Sequence, residues 1–229
     1  TEMWERFSYY GMRALLVLYV ATSATAVDPG LGWSNGDAIW LYGWYTMLVY
    51  VASIPGGWIA DKFLGQKKSV LYGGILLVAG HSILAVEEMW AFYTGLGLII
   101  SGVGLLKPNI STMVGGLYKQ GDIRRDKGFT IFYIGINIGA LLATTVIAYV
   151  GETYGFKYGF GLAGIGMLMG LFIFWAGRKN YSAAEGLGFT EEGNQKVFGP
   201  LKKAHMVGVL SLLLIPIAYY LIIQNGYLD

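Results

Sequence analysis

The chain contains no cysteine, only two histidines and little charge: 13% of its 229 residues are Asp, Glu, Lys or Arg. An ordinary soluble domain carries about 25%. The missing thiols exclude disulfide staples and cysteine nucleophiles, and two histidines leave little from which to build a zinc site. So little charge argues against a disordered chain and against a nucleic-acid-binding surface. The net charge of +2 points to no acidic partner. No P-loop, dinucleotide-type glycine turn or GxSxG elbow occurs, so ATP-driven work is not supported and the chain does not read as an enzyme. No cofactor is expected.

What is present is apolar. Hydrophobic residues make up 55% of the chain and glycine contributes 35 residues, about twice the usual ~7%. A membrane helix needs about 20 mostly apolar residues, and seven runs qualify, near 7–27, 39–60, 70–87, 90–118, 129–150, 158–177 and 204–224. Several lack a polar face, as befits helices surrounded by lipid and other helices. Alternating strands are absent, which excludes a transmembrane barrel. The first run holds Arg13 and follows Glu2, Glu5 and Arg6, and it lacks a cleavage site, so it is not a signal peptide.

The basic residues alternate between connectors. Lys62, Lys67 and Lys68 follow the second run; Lys119, Arg124, Arg125 and Lys127 follow the fourth; Arg178, Lys179, Lys196, Lys202 and Lys203 precede the seventh. The opposite connectors hold Lys157 alone, with Asp28, Asp37, Glu87, Glu88 and Glu152. This is a positive-inside pattern with a cytoplasmic N-terminus. Residues 1–178 read as a six-helix unit, 179–203 as a solvated cytoplasmic linker, and 204–229 as one further transmembrane helix. Thr190-Glu191-Glu192 offers a short helix start within that linker.

Charges inside apolar runs are functional hypotheses by default. On a helix of about 100° per residue, Glu2, Glu5, Arg6, Tyr9 and Arg13 fall within about 100° of arc and form one stripe. Carboxylates at i and i+3 beside a guanidinium at i+4 make a pair that proton uptake would break. Lys107 lies deep in the fourth run and precedes Pro108, which removes a backbone donor and loosens the helix. A lysine there faces a cavity or pairs with an anion. Asn137, between Gly135 and Gly139, is either interhelical glue or a ligand contact, and the small-xxx-small spacing suits close packing. Tyr50 reads as core by spacing alone, and His81 as a packed or satisfied histidine.

Three ordered motifs carry a resemblance. Glu2-x-x-Glu5-Arg6-Phe7-x-Tyr9-Tyr10-Gly11 resembles the ExxERFxYYG signature of the proton-dependent oligopeptide transporters, a branch of the major facilitator superfamily. Residues 56–68, from Gly56 through Asp61 and Gly65 to Lys67 and Lys68, resemble the superfamily's loop between helices two and three. Residues 129–141 resemble the family's helix-five signature. The resemblance implies an all-α membrane protein built of two six-helix bundles with a substrate site between them. This chain would supply the N-terminal bundle plus one helix, either an inserted helix or the first of the second half. The C-terminal bundle would be a partner not contained in the chain.

The resemblance also implies roles. Glu2, Glu5 and Arg6 match the proton-coupling motif, with protons as the coupling ion. Arg13 and Lys107 match positions that hold a peptide carboxylate. Tyr9, Tyr10, Tyr50 and Asn137 match polar cavity positions, Tyr50 by its distance of eleven residues from Asp61. Asp61, Lys67 and Lys68 match the gate, where Asp61 bonds to a helix end across the cytoplasmic side and is released on switching. Gly43 stands where mammalian members have histidine, which implies a prokaryotic type in the inner membrane, and Ser69 is a minor departure. The implied function is proton-coupled symport of di- and tripeptides by alternating access. Alternatives are transport of nitrate or another small anion, or a non-transporting peptide sensor.

Overall fold

The computed structural model describes residues 1–119, 121–181, 190–198 and 201–211. Six long helices run back and forth. They are α1 (Glu2–Ala21), α2 (Asn35–Ile59, prolonged by a π turn at Ala60–Leu64), α3 (Gln66–Leu84), α4 (Met89–Gly116), α5 (Arg124–Tyr154) and α6 (Phe156–Ala176, prolonged to Lys179). A short helix α7 (Glu191–Asn194), two paired strands β1 (Lys196–Phe198) and β2 (Leu201–Lys202), and α8 (Lys203–Ser211) follow. The expected all-α six-helix architecture is the one observed. By length and composition, α4, α5 and the extended α6 are long and apolar enough to cross a membrane.

Boundaries shift for physical reasons. The first apolar run is expected near 7–27, but α1 spans Glu2–Ala21, because the charged stripe is helical and Thr22–Gly32 turns back on it through backbone bonds such as Leu31 N–H to Tyr19 O (3.0 Å). Helix α2 starts at the side chain of Ser34, which accepts the Asp37 N–H (3.1 Å), an N-cap. Asp61 lies in the π turn rather than at a helix end, and Gly65 at φ 74° makes the turn into α3. Pro108 does not break α4, which runs through it. The Asn109 side chain donates to the Leu105 carbonyl (2.7 Å) and the hydroxyls of Ser111 and Thr112 donate to the Pro108 carbonyl.

Helix α4 is the bundle's centre and α5 its margin: 72% of the most apolar window of α4 is buried, against 17% for α5. The close approach depends on glycine. A Cβ on Gly56 of α2 would collide with the Gly104 backbone of α4, and one on Gly73 of α3 with the backbone at Gly102 and Leu106. Small residues let backbones meet in this way. His81 is fully buried, and neither ring nitrogen has a hydrogen-bond partner among the described residues; it is packed but not satisfied. At the acidic end, Gly155 (φ 120°) turns α5 into α6. There Asp28 accepts the Phe156 N–H (2.8 Å) and Glu87 accepts the Lys157 N–H (2.9 Å). Both bonds satisfy orphan donors of the helix start.

The connector corrects the sequence expectation. Residues 190–198 and 201–204 are more than a spacer: largely solvent-facing, they still form α7, the β-pair and the first turn of α8, and they dock on the α2–α3 turn. The expected break at 203/204 falls inside α8, and residues 212–224 of the expected seventh span lie outside the described residues.

Candidate functional site

The charged stripe of α1 is buried. Glu2, Glu5 and Arg6 are 6%, 0% and 7% exposed. Arg6 Nη2 stands 2.7 Å from Glu2 Oε1 and its Nε donates to the same oxygen (2.9 Å). Arg6 Nε is 3.1 Å from Glu5 Oε2. That second contact is an ion pair without an aligned hydrogen bond, so both Glu5 oxygens keep their hydrogen-bonding capacity unspent. One guanidinium therefore holds two carboxylates, as the i, i+3, i+4 spacing predicts.

Two turns further along, Arg13 enters a cage of tyrosines. Its Nη2 donates to the hydroxyl of Tyr42 on α2. Its Cζ lies 4.9 Å from the Tyr42 ring centroid, 5.4 Å from that of Tyr9 and 5.8 Å from that of Tyr10. Such placement over ring faces attracts a guanidinium. Arg13 Nε, the Tyr45 hydroxyl and the Thr46 hydroxyl are buried without a described partner. Lys107 approaches from α4, its Nζ 4.2 Å from the Tyr50 ring centroid. Tyr10 joins the two groups, since its ring centroid lies 5.9 Å from Arg6 Cζ and 5.8 Å from Arg13 Cζ.

Sequence reasoning thus places Glu2, Glu5, Arg6, Tyr9, Tyr10, Arg13, Tyr50 and Lys107 together, and the structure brings them together. Tyr50 is 57% exposed, so it lines the open side of the bundle rather than its core. Asn137 is not brought to this group: it is exposed on α5 and donates to its own helix at the Tyr133 carbonyl (2.8 Å). The gate residues lie apart, at the basic end. Asp61 is exposed with no ion pair among the described residues, Lys67 Nζ is 5.2 Å from the Tyr181 ring centroid, and Lys68 lies beside Lys202 and Lys67. Burial and those two ammonium groups lower the Lys68 pKa.

Tyr42 and Tyr45 are the residues that sequence reasoning missed. Neither stands in a motif. The available signal was period alone, since Tyr42 and Tyr45 sit eight and five residues before Tyr50, within three turns of one helix. Among the described residues no cluster of three potential metal ligands occurs. A cleft at the basic end, lined by Glu2, Met3, Ile110, Phe132 and Phe174, reaches one of the two carboxylates and contains none of Glu5, Arg13 and Lys107.

A family model described as the POT family matches residues 67–191. An uncharacterized transporter of Bacillus subtilis, YclF, is 44% identical over the whole chain, which covers 45% of that protein. A di-/tripeptide transporter of Lactococcus lactis subsp. lactis is 49% identical over 78% of the chain and 36% of its own length. The crystal structure of a peptide transporter POT in complex with sulfate superposes with a TM-score of 0.80 at 43% identity, over 100% of this chain and 46% of that one. The chain spans less than half the length of each of these proteins.

Proposed function

The chain belongs to the POT family, a family of membrane transporters rather than enzymes, and from that premise we propose that it forms the N-terminal half of a proton-coupled symporter of di- and tripeptides. Residues 1–178 are the first bundle, the basic end is cytoplasmic, and the membrane is the inner membrane of a prokaryote. Residues 179–203 are the linker and 204–229 enter a further membrane helix. The open side of the bundle, where Tyr50 and Lys107 stand, faces a second six-helix bundle, and the exposed Asn137 of α5 reaches the substrate only once that bundle is in place.

The observation that carries this reading is the charge inventory of α1 and α4. Two carboxylates, Glu2 and Glu5, share one guanidinium, Arg6, and two further cations stand nearby, Arg13 on the same stripe and Lys107 on α4. The surplus is one positive charge, matched by the carboxylate of a peptide. Arg13, fixed by Tyr42 and stacked among tyrosines, presents a planar fork to that carboxylate, and Lys107 supplies a compact ammonium held over the Tyr50 ring. A proton entering on Glu5 or Glu2 removes one arm of the Arg6 pair, and the freed guanidinium changes partner. That rearrangement couples proton entry to rocking of the bundles, with Asp61, Lys67 and Lys68 as the cytoplasmic gate. One charge descending 100 mV contributes about 2.3 kcal/mol, enough for about fifty-fold accumulation.

Uptake of a labelled dipeptide into liposomes holding the full-length protein tests the reading. A proton gradient should drive accumulation in the parent and not in Glu5→Gln, which should still exchange peptide for peptide. Competition by unlabelled dipeptide but not by nitrate assigns the cargo, and the reverse pattern assigns a small anion. Peptide binding with no exchange at all overturns transport in favour of a sensor.

A further inference from the structure

At the basic end the connector grips the gate turn by its backbone. The Thr190 N–H donates to the Phe63 carbonyl (3.3 Å), and the Thr190 hydroxyl donates to the Lys62 carbonyl while accepting the Gly193 N–H (3.0 Å). Thr190 thereby caps α7 and anchors it in one step. Gly193 is pressed onto the same strand of backbone, where a Cβ would run into the Phe63 carbonyl. Glu192 Oε1 lies 3.9 Å from both Lys62 Nζ and Lys203 Nζ, between a gate-loop lysine and an α8 lysine.

The other end of the connector is seated as well. The Lys203 N–H donates to the Gln195 carbonyl (2.8 Å) and Lys202 Nζ donates to Asn194 Oδ1 (3.0 Å). Ala204, fully buried, packs with Ile59 and Leu64 of α2 and Leu105 of α4. Exposed ion pairs of this length stabilise little, so the hold comes from Thr190, Gly193 and Ala204, and Glu192 offsets the repulsion of the lysines gathered there.

We propose that residues 190–198 and 201–204 are a clip that fastens the gate turn to the first turn of α8, so that both move as one body when the gate opens, with Thr190 and Gly193 as its positioning residues. A connector that was only a tether would have no reason to present glycine to a carbonyl or to bury its last residue in the α2–α4 seam. The gating consequence rests on the transport reading above; the docking does not.

The chain has no native cysteine, so a single introduced thiol can report on the seat. In membranes holding the full-length protein, Ala204→Cys should react with a maleimide about tenfold more slowly than an exposed Gln195→Cys control, because reaction waits on local opening. Adding Gly193→Val should raise the Ala204→Cys rate to that of the control. It should lower dipeptide uptake several-fold with dipeptide affinity unchanged. Thr190→Val should act in the same direction more weakly. Equal labelling of the two thiols in the parent overturns the clip, as does labelling unmoved by Gly193→Val. Labelling that rises while uptake stays at the parent rate overturns its part in gating. A parent without uptake condemns the peptide reading and leaves the docking to the labelling result.

Discussion

The Lys107 ammonium on α4 stands 4.2 Å from the centre of the Tyr50 ring on α2. A ring in that position holds the cation without neutralising it, at about 0.5–2 kcal/mol, so the charge stays available to an anionic ligand. Tyr50→Phe keeps the ring and should leave dipeptide uptake within about twofold of the parent. Tyr50→Ala releases the ammonium and should cost about tenfold in affinity. Lys107→Ala should abolish uptake, and if it transports normally Lys107 has no central role.

Tyr42 should matter through Arg13 alone. Its hydroxyl takes one guanidinium N–H and its ring lies 4.9 Å from Cζ. Tyr42→Phe removes the hydrogen bond and spares the stack, a loss of about 1 kcal/mol or about fivefold in dipeptide affinity. Arg13→Lys loses both the fork and the stack and should weaken binding further. Calorimetric titration of the two variants should rank them in that order, and a Tyr42→Phe affinity equal to the parent's removes Tyr42 from the site.

Local chemistry explains what the sequence made legible. Glu2, Glu5 and Arg6 pair within four residues of one helix, so the 3.6-residue period suffices to assemble them. The Arg13–Tyr42 contact joins residues 29 apart on different helices, and nothing distinguishes Tyr42 among 17 tyrosines until the helices pack. The docking of the connector is hidden from sequence for the same reason. Thr190, Glu191 and Glu192 look like any solvated helix start, and their order comes from the Lys62 and Phe63 carbonyls, with Thr190 and Lys62 separated by 128 positions. Pro108 misled in the opposite sense, because side chains at Asn109, Ser111 and Thr112 bond back along the helix and keep it continuous.

Glu87, in the turn between α3 and α4, gives a pH-dependent prediction. Burial raises its pKa above the ordinary carboxyl range, outweighing the bond it accepts from the Lys157 N–H. The folded state therefore takes up the proton more readily than the unfolded chain. This group's contribution to stability is greatest in acid and is lost as pH rises from that range through the folded value. Glu87→Gln keeps an acceptor for Lys157 and removes the charge. The variant should melt about 1 °C higher than the parent at pH 7 and equally below pH 4, where the parent is also neutral. A lower melting point at pH 7 would mean that the carboxylate's attraction to the α6 start exceeds its burial cost.

Gly135 and Gly139 share one spacing motif on α5 but not one environment. A Cβ on Gly139 would collide with the Met3 carbonyl and come within 3.1 Å of Arg6 Cβ, whereas one on Gly135 would rest 3.7 Å from Met3 Cβ, an ordinary contact. Gly139→Ala must therefore push α5 away from α1 at the residue that holds both carboxylates. It should cost about 1–3 kcal/mol and reduce proton-driven uptake more than peptide exchange. Gly135→Ala meets no obstruction and gains helix propensity of up to about 1 kcal/mol, so it should be neutral or stabilising with uptake intact. Thermal melts in detergent and the two uptake modes would separate them. Equal damage from both would show that α5 packs on α1 along the whole motif rather than at Gly139 alone.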